Sequence, residues 1–535
     1  MSNKLVKGTL ILSILTLFTK IIGSLFWAPF QNIAGDETVG IYRISFPFYS
    51  ILLMIATAGI PITVSKFVAE HLSHDDYPGA RRILRVASTI LTLTGVLSFC
   101  ILFFGAEYIS KVILGNSAAA SSMKVLACAI LFVPIMGAYR GFFQGQQQMV
   151  PTGISQLIEQ IVRVGVLIGL TYWMVGAGMN HATVAAGATA GALFGAIAGL
   201  MVMFCYNLRD KKEQLYKKWN PPLRRPESFK RLSKKIIAYA IPISLATLVL
   251  PLIGLIDSFT VPRLLMNSGL TDKMATQLFG IYGRGEPFVN VISVFSSSLT
   301  LALIPAIAAH MSREEYEAVE HKISQSWLMT LVISLPASLA LSMLVEPLNI
   351  AMYKNNTGGD TLAILAFSAI FSTLAVTCSG ILQGLGFNKL PVHHLLIGAA
   401  VKVIGNFVFI PMMGIRGSAL AMVLAYVVVC GLNLWQVVRV TGIRFRFGTY
   451  VLKPLLSTGI MLVTLYLFYK SMLFLTTEPS RLFYVFISLA MVLIGSFVYL
   501  LALIITRTLT ERELRMIPMG GKIIALFTRL RILQR

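Results

Sequence analysis

A chain of 535 residues that is 56% hydrophobic and only 13% charged is not an ordinary soluble protein, because soluble domains carry about a quarter charged residues. Its net charge of +23 would suit a nucleic-acid-binding protein, but the basic residues are spread between long apolar runs. The composition therefore predicts a membrane protein and excludes nucleic acid as a partner.

Apolar runs of about 20 residues, the length that crosses a ~30 Å hydrocarbon core, recur along the whole chain. We predict an all-α membrane protein with fourteen transmembrane helices and no loop long enough for a soluble domain. The predicted spans are 5–30, 41–66, 86–104, 124–143, 155–176, 183–206, 236–266, 284–309, 323–345, 362–383, 392–411, 417–438, 454–474 and 483–506.

The distribution of basic residues predicts the orientation of the chain. If both termini are cytoplasmic, only five of the 45 Lys and Arg residues fall in outer loops, as the positive-inside rule requires. We therefore predict a multi-pass protein of the bacterial cytoplasmic membrane. The five cysteines all lie in predicted helices and form no C-x-x-C pair, so no metal site is expected; no cofactor is expected either.

The sequence contains an internal repeat. Gly40-Ile41-Tyr42 recurs as Gly280-Ile281-Tyr282, and the stretch 71–77 (HLSHDDY) recurs at 310–316 (HMSREEY). Gln-Gly followed by Pro occurs at 144–151 and again at 383–391. The offset is 239 or 240 residues each time, and each copy contains six spans, so both copies cross the membrane in the same direction. Parallel repeats of this kind are typical of transporters with a central substrate site.

The repeat divides the chain into three predicted parts. Residues 1–220 form an N-terminal lobe of six helices, and residues 221–440 form a C-terminal lobe of six helices. Residues 441–535 supply two extra helices and a basic cytoplasmic tail.

Ionisable residues inside the predicted spans are candidates for function, because a charge in hydrocarbon costs ~2.5–3.5 kcal/mol on insertion scales and usually faces a polar interior. Seven of the ten are basic, which favours an anionic substrate. The ten are Lys20, Arg43, Arg140, Glu159, Arg163, Asp257, Arg263, Arg284, Glu286 and Lys402.

Two groups can be distinguished among these residues. Lys20, Arg43, Arg284 and Glu286 are predicted to bind substrate, since Lys20 lies in mid-span and the two arginines hold nearly equivalent positions in the two copies.

Asp257, Lys402 and Asn406 form a second predicted cluster, in which Asp257 pairs with Lys402; it is either structural or a coupling-ion site. Glu159 and Arg163 share a helical face and can form a structural ion pair. Arg140, at the cytoplasmic end of its span, is interpreted as an interfacial anchor, and no contact is assigned between Asp257 and Arg263.

Several motifs give the chain a family resemblance. They are Lys7-Gly8-Thr9, TKIIG at 19–23, PITVSKFVA at 61–69, and RGFFQG at 140–145 followed by Pro151, Ser155-Gln156 and Glu159-Gln160. In this order and spacing they resemble the MOP flippase superfamily, in the branch of MurJ-type lipid II flippases and SpoVB/YtgP-like polysaccharide exporters. The resemblance runs over nearly the whole chain.

This resemblance implies two six-helix lobes around a cationic cavity that works by alternating access. The implied substrate is an undecaprenyl-pyrophosphate-linked saccharide, lipid II or a related cell-wall precursor, with membrane lipid and cell-wall synthesis proteins as expected partners. Lys20 and Arg284 match cavity positions of MurJ-type proteins on the first and eighth helices. The chain departs from them at Phe26, where a second first-helix arginine would stand, and in residues 50–56, which contain no base.

Other functions make different demands on the sequence. A MATE-type multidrug or cation antiporter shares the superfamily fold but would be expected to bury acids. A membrane glycan polymerase or ligase needs acids or nucleophiles in a sizeable outer loop, and the outer loops here are short; we therefore predict that the chain is not an enzyme. A scaffold without transport would not need buried charges.

The predicted topology can be tested by labelling single cysteines in a Cys-free background. In intact cells a membrane-impermeant maleimide should label Ser117→Cys, which lies in a predicted outer loop, but not Lys217→Cys, which lies in the basic loop at 209–235. Permeabilising the membrane should make Lys217→Cys reactive as well. Labelling of position 217 but not of position 117 in intact cells would contradict the topology.

Overall fold

The computed structural model describes residues 3–57, 59–215, 227–443, 445–476, 479–506 and 508. Over these ranges the chain is helical and contains no strand. The predicted lobe boundary at residue 220 and the basic tail lie outside the described residues. The lobe boundaries drawn from the repeat remain predictions.

By their internal contacts the described residues fall into two compact units. The first comprises those within Met1–Arg284 together with Lys402–Ser418. Its helices are α1 (Asn3–Leu25), α2 (Trp27–Thr57), α3 (Ile60–Leu72), α4 (Tyr77–Tyr108), α5 (Ala119–Ile130), α6 (Val133–Gly145), α7 (Met149–Gly176), α8 (His181–Leu215), α9 (Phe229–Asn267) and α10 (Asp272–Tyr282). A single turn, Gly283–Gly285, follows α10.

The second unit comprises Gly285–Val401 and the described residues that follow Ser418. Its helices are α11 (Glu286–Met311), α12 (Tyr316–Tyr353), α13 (Gly359–Ala366), α14 (Ser368–Gly384), α15 (Leu390–Met413), α16 (Ile415–Thr441), α17 (Lys453–Leu475) and α18 (Arg481–Ile505). The end of α15 and the start of α16, residues 402–418, belong to the first unit.

The fourteen predicted spans are confirmed. Eleven stretches of described residues are long and apolar enough to cross a membrane, and the first of them, Leu15–Leu72, contains predicted spans one and two. Spans seven and eight correspond to α9 and α11, which have 39 and 26 residues, more than the ~20 that a bilayer requires.

The boundaries predicted for the first two spans are wrong. The first helix ends at Leu25 instead of continuing to residue 30, and α2 begins at Trp27. Gly35 bends α2 with φ 79°, and Gly59 has φ 63° just before α3. Both backbone conformations are left-handed and suit glycine, and Pro61 stands in the first turn of α3, where its missing N–H is tolerated. The predicted second span, 41–66, is therefore two helices.

Residues 31–40, predicted as an outer loop, are helical and pack against α10, their counterpart in the repeat. The packing is reciprocal. A Cβ added to Gly40 would overlap the carbonyl oxygen of Thr276, and a Cβ added to Gly280 would overlap that of Asp36. Gly280 is 240 positions after Gly40, and Thr276 is 240 positions after Asp36. Each copy of the repeat therefore presents the same small residue to the equivalent position of the other.

A second repeated feature is the turn that follows α3 and α11. His71 Nδ1 lies 2.7 Å from Asp76 Oδ2 after α3, and His310 pairs in the same way with Glu315 after α11. Asp75 and Glu314, at matching places in the two turns, have positive φ angles of 56° and 58°. The sequence repeat is therefore also a repeat of local conformation.

The core of the second unit is built around Trp327 on α12. Its ring is fully buried, and its indole N–H donates to Cys378 Sγ on α14 over 3.3 Å. The last two helices pack against the same helix, where the Tyr499 hydroxyl of α18 donates to the Val332 carbonyl over 2.7 Å. These two helices lie outside the repeat but share its core.

The reciprocal glycine contact generates a prediction about stability. Gly280→Ala should lower the free energy of unfolding by about 1–3 kcal/mol, the usual cost of overpacking, because the new Cβ meets backbone that cannot rotate away. Unfolding of the purified protein in detergent, followed by circular dichroism, measures this loss.

Gly169→Ala is the matched control, since a Cβ at that position on α7 meets no atom within 4 Å. A Gly280→Ala protein as stable as the control would show that α2 and α10 are not held in close contact.

Candidate functional site

Lys20 lies in the second half of α1, and its residue is exposed. The helix packs on α7, where Thr16 Oγ1 lies 3.2 Å from Gln156 Oε1 and Gly23 faces the side chain of Gln160. Among the described residues no hydrogen bond or ion pair involves the Lys20 ammonium. This cation is therefore accessible, and no acid in the described ranges pairs with it.

Arg43 lies on α2 and is half-buried. Its guanidinium stacks on the ring of Trp27, with 4.2 Å between Cζ and the ring centroid. Nη2 donates to the carbonyl of Gly283 over 2.7 Å. The stacked, hydrogen-bonded side chain is held beside the turn that carries Arg284.

Arg284 occupies this turn and is only 2% exposed. Its Nη2 donates to both carboxylate oxygens of Asp36, at 2.8 and 3.0 Å, and the side chain of Gln31 also donates to Asp36. The sequence reasoning missed Asp36, because it placed this residue in a loop outside the membrane. An acid next to the repeated Gly40 motif was the available signal.

Two further acids, Asp272 and Glu37, lie on α10 and α2, the helices that meet beside this ion pair. Asn116 Nδ2 donates to Asp272 Oδ1 over 3.1 Å and to Thr276 Oγ1 over 2.7 Å. Burial raises the pKa of the Asp272 carboxyl above its usual range, although the hydrogen bonds from Asn116 and Thr276 act to lower it. Glu37 lies 3.7 Å from the Lys273 ammonium.

Glu286 was grouped with the three cations in the prediction from sequence. It is the first residue of α11, it is exposed, and it belongs to the second compact unit. A carboxylate at this position suits the positive end of the helix.

The predicted pair of Asp257 and Lys402 is present. Lys402 is fully buried, and its Nζ lies 3.0 Å from Asp257 Oδ1. Nζ also donates to the Ser418 carbonyl over 2.7 Å and to the Ser418 hydroxyl over 3.0 Å. Asn406 Nδ2 donates to Asp257 Oδ1 over 3.0 Å, and the Tyr282 hydroxyl donates to Oδ2 over 3.1 Å. Both partners are thus hydrogen-bonded as well as charge-paired.

The predicted pair of Glu159 and Arg163 is wrong. Glu159 accepts from Arg140 instead, with 2.7 Å between Oε2 and Nη2, and Arg140 also donates to the Ser155 hydroxyl over 2.8 Å. Arg140 is therefore paired with an acid and is not merely an anchor at the membrane surface. Spacing along α7 permitted the Glu159–Arg163 pair, but α6 supplies a competing guanidinium.

The Lys402–Asp257 pair can be tested by removing its charges one at a time. Lys402→Met or Asp257→Asn alone should lower the free energy of unfolding by about 3–5 kcal/mol, because each leaves one buried charge without its partner. The double variant should recover part of this loss. Denaturation in detergent measures all three, with Lys124→Met as control, since Lys124 pairs with Glu107 at an exposed site. Full additivity of the two losses would contradict the pair.

The sequence matches the models of two protein families. The model described as "Polysaccharide biosynthesis protein" matches residues 5–311, and the model MatE matches residues 242–408.

Curated relatives match nearly the whole chain. It is 32% identical over 518 residues to the uncharacterized membrane protein YabM of Bacillus subtilis, covering 97% of this chain and 95% of the relative. It is 30% identical over 441 residues to the lipid II flippase MurJ of the same organism, covering 80% and 81%. Stage V sporulation protein B, also from Bacillus subtilis, is 26% identical over 525 residues and is covered over 98% of its length.

Solved structures share the fold. Lipid II flippase MurJ in an inward closed conformation aligns with a TM-score of 0.67 at 16% identity, over 93% of this chain and 99% of the other. An inward-facing MATE transporter of the MOP superfamily aligns with a TM-score of 0.66 at 15% identity, over 81% and 98%. The chain therefore belongs to the polysaccharide biosynthesis protein family, in the branch of the MOP superfamily that includes MurJ and stage V sporulation protein B, and it is a multi-pass membrane protein of transporter type and not an enzyme.

Proposed function

We propose that the chain is a flippase that exports an undecaprenyl-pyrophosphate-linked saccharide, lipid II or a related cell-wall precursor, across the bacterial cytoplasmic membrane by alternating access, with both termini cytoplasmic. The observation that carries the proposal is Lys20, an exposed cation in a membrane-spanning helix with no acid partner among the described residues. The relatives of the chain support the substrate class, since the one that is 30% identical over 441 residues is named as a lipid II flippase.

The charge of the substrate supports this direction of transport. A pyrophosphate cannot cross a dry hydrocarbon path, because desolvating an ion there is prohibitive, so cations along the path must replace its water. Moving about two negative charges outward across an inside-negative membrane releases ~2.3 kcal/mol per charge for each 100 mV. Export of this substrate therefore has a driving force without ATP.

Within this function we propose that Lys20, which is exposed, and Arg43, which is half-buried, bind the pyrophosphate. Arg284 would join them by exchanging Asp36 for the substrate, since its guanidinium engages that carboxylate in the present conformation. A diphosphate offers oxygen acceptors to both guanidinium groups and to the ammonium. The role of Glu286 in binding substrate remains a prediction.

For the cluster of Asp257, Lys402 and Asn406 we infer a structural role. The Lys402 ammonium is surrounded by oxygen atoms of Asp257, Ser418 and Tyr282. A coupling cation would need these same oxygens, and the lysine already supplies a positive charge among them. This arrangement favours a fixed ion pair over an exchangeable ion.

The alternative of a MATE-type antiporter is favoured by one observation, the MatE match to residues 242–408. The bases of the first unit count against a cationic substrate, because Lys20 would repel it. A dye-efflux assay separates the two: a flippase of lipid-linked saccharides should confer no efflux of cationic dyes.

The proposed function is tested by replacing a depleted lipid II flippase with this chain. The wild type should restore growth and export of the lipid-linked precursor. Lys20→Ala should abolish export, because the pyrophosphate loses an accessible cation, whereas Lys20→Arg should retain most of it. Protein levels should be unchanged, since no hydrogen bond or ion pair of Lys20 is lost within the described part of the chain.

Lys124→Ala serves as the control, because its surface ion pair with Glu107 is of the kind that is worth ~0–1 kcal/mol. Normal export by Lys20→Ala would remove Lys20 from the site. Failure of a well-expressed wild type would contradict lipid II as the substrate.

A further inference from the structure

Arg163 on α7 is half-buried and differs from other buried or half-buried bases of the first unit. Lys402, Arg284 and Arg140 each lie within 3.0 Å of a carboxylate oxygen. Arg163 has no carboxylate within 4.0 Å among the described residues, because Glu159, the acid one turn away, is engaged by Arg140. A positive charge in a membrane span therefore forms no direct ion pair within the described part of the protein.

Side chains of α2 hold the guanidinium of Arg163 in place, but among the described residues they accept only one hydrogen bond from it. It lies over the ring of Phe46, with 5.2 Å between Cζ and the ring centroid, and Nη2 donates to the Tyr42 hydroxyl over 3.2 Å. Its Nε is buried and has no acceptor among the described residues. A guanidinium has five N–H donors, so a single hydrogen bond to Tyr42 leaves most of them without an acceptor in the described part of the chain.

The backbone beneath Arg163 is fixed by close packing of α8. A Cβ on Gly191 would overlap the Arg163 carbonyl oxygen, and a Cβ on Gly195 would lie 2.9 Å from Arg163 Cβ. Because α8 closes one side of α7 so tightly, the side chain of Arg163 extends toward α2. The orientation is set by the fold and not by an ion pair.

Arg163 also follows Lys20 along one pair of packed helices. Thr16 contacts Gln156, and Gly23 faces Gln160 one turn further on. Lys20 lies between these two contacts on α1, and Arg163 lies three residues beyond Gln160, about 4.5 Å further along the helix axis. Along the packed helices α1 and α7, Arg163 therefore lies beyond Lys20, and neither cation has a carboxylate partner among the described residues.

We propose that Arg163 is a second anion contact for the diphosphate of the transported lipid, which it receives after Lys20 as the headgroup moves along α1 and α7. The proposal rests on the proposed function. A half-buried cation that is in no ion pair with a described residue can stabilise an incoming anion, and a guanidinium fork matches phosphate oxygens bidentately. Unlike Arg284, Arg163 would not have to release a carboxylate of the described residues before it binds.

Binding of undecaprenyl diphosphate to the purified full-length protein tests the proposal. Arg163→Gln, which can still donate to Tyr42, should raise the Kd at least about tenfold, as expected for the loss of a charge-assisted hydrogen bond. Arg263→Gln is the matched control and should bind like the wild type, because the exposed Arg263 donates to the Ile113 carbonyl and not toward this site.

The outcomes separate the two proposals. A wild type that does not bind the diphosphate contradicts the proposed function itself. Binding by Arg163→Gln within twofold of the wild type, at an unchanged melting temperature, overturns the role of Arg163 alone. Equal competition by phosphatidylglycerol would show a general lipid-headgroup site and would overturn the assignment to the lipid-linked diphosphate.

If Arg163→Gln does not fold, Arg163→Lys provides the same test with the charge retained. It should bind several-fold more weakly than the wild type, since an ammonium cannot reproduce the bidentate fork. Wild-type affinity in the lysine variant would overturn the proposed contact.

Discussion

A charge in hydrocarbon must be neutralised or hydrated, and this requirement organises the first unit of the structure. Lys402 is neutralised by Asp257, Arg284 by Asp36, and Arg140 by Glu159. Each pair joins two different elements of the fold: α15 with α9, the turn after α10 with α2, and α6 with α7. The ion pairs therefore also fix how these elements pack. Lys20 and Arg163 differ from these three bases, since neither is in an ion pair with any residue that the structure describes.

The same requirement explains what the sequence could and could not predict. The pairing of Lys402 with Asp257 was predictable because each was the obvious buried charge in its own part of the second repeat. The choice between Arg140 and Arg163 as the partner of Glu159 was not. Spacing on one helix favours Arg163, whereas the approach of α6 to α7 is a tertiary contact that favours Arg140.

The number of membrane spans and the repeat could be predicted, because they follow directly from the hydropathy of the sequence and from the spacing of its motifs. The broken second helix could not, although Gly59 and Pro61 are visible in the sequence. Prolines also occur inside continuous helices of this chain, as Pro305 does in α11. The break depends on the left-handed backbone of Gly59, which a proline pattern alone does not specify. The helical segment before Gly40 was also mistaken for a loop, and Asp36, which lies in that segment, was therefore missed.

The reciprocal contact of α2 with α10 links two positions that are 240 residues apart. Neither Gly40 nor Gly280 can acquire a side chain unless the opposite backbone withdraws. The two halves of a duplicated sequence are ordinarily free to diverge, each accumulating its own substitutions. Here a side chain added in one copy would meet the backbone of the other, so the two copies are not free to diverge independently at Gly40 and Gly280.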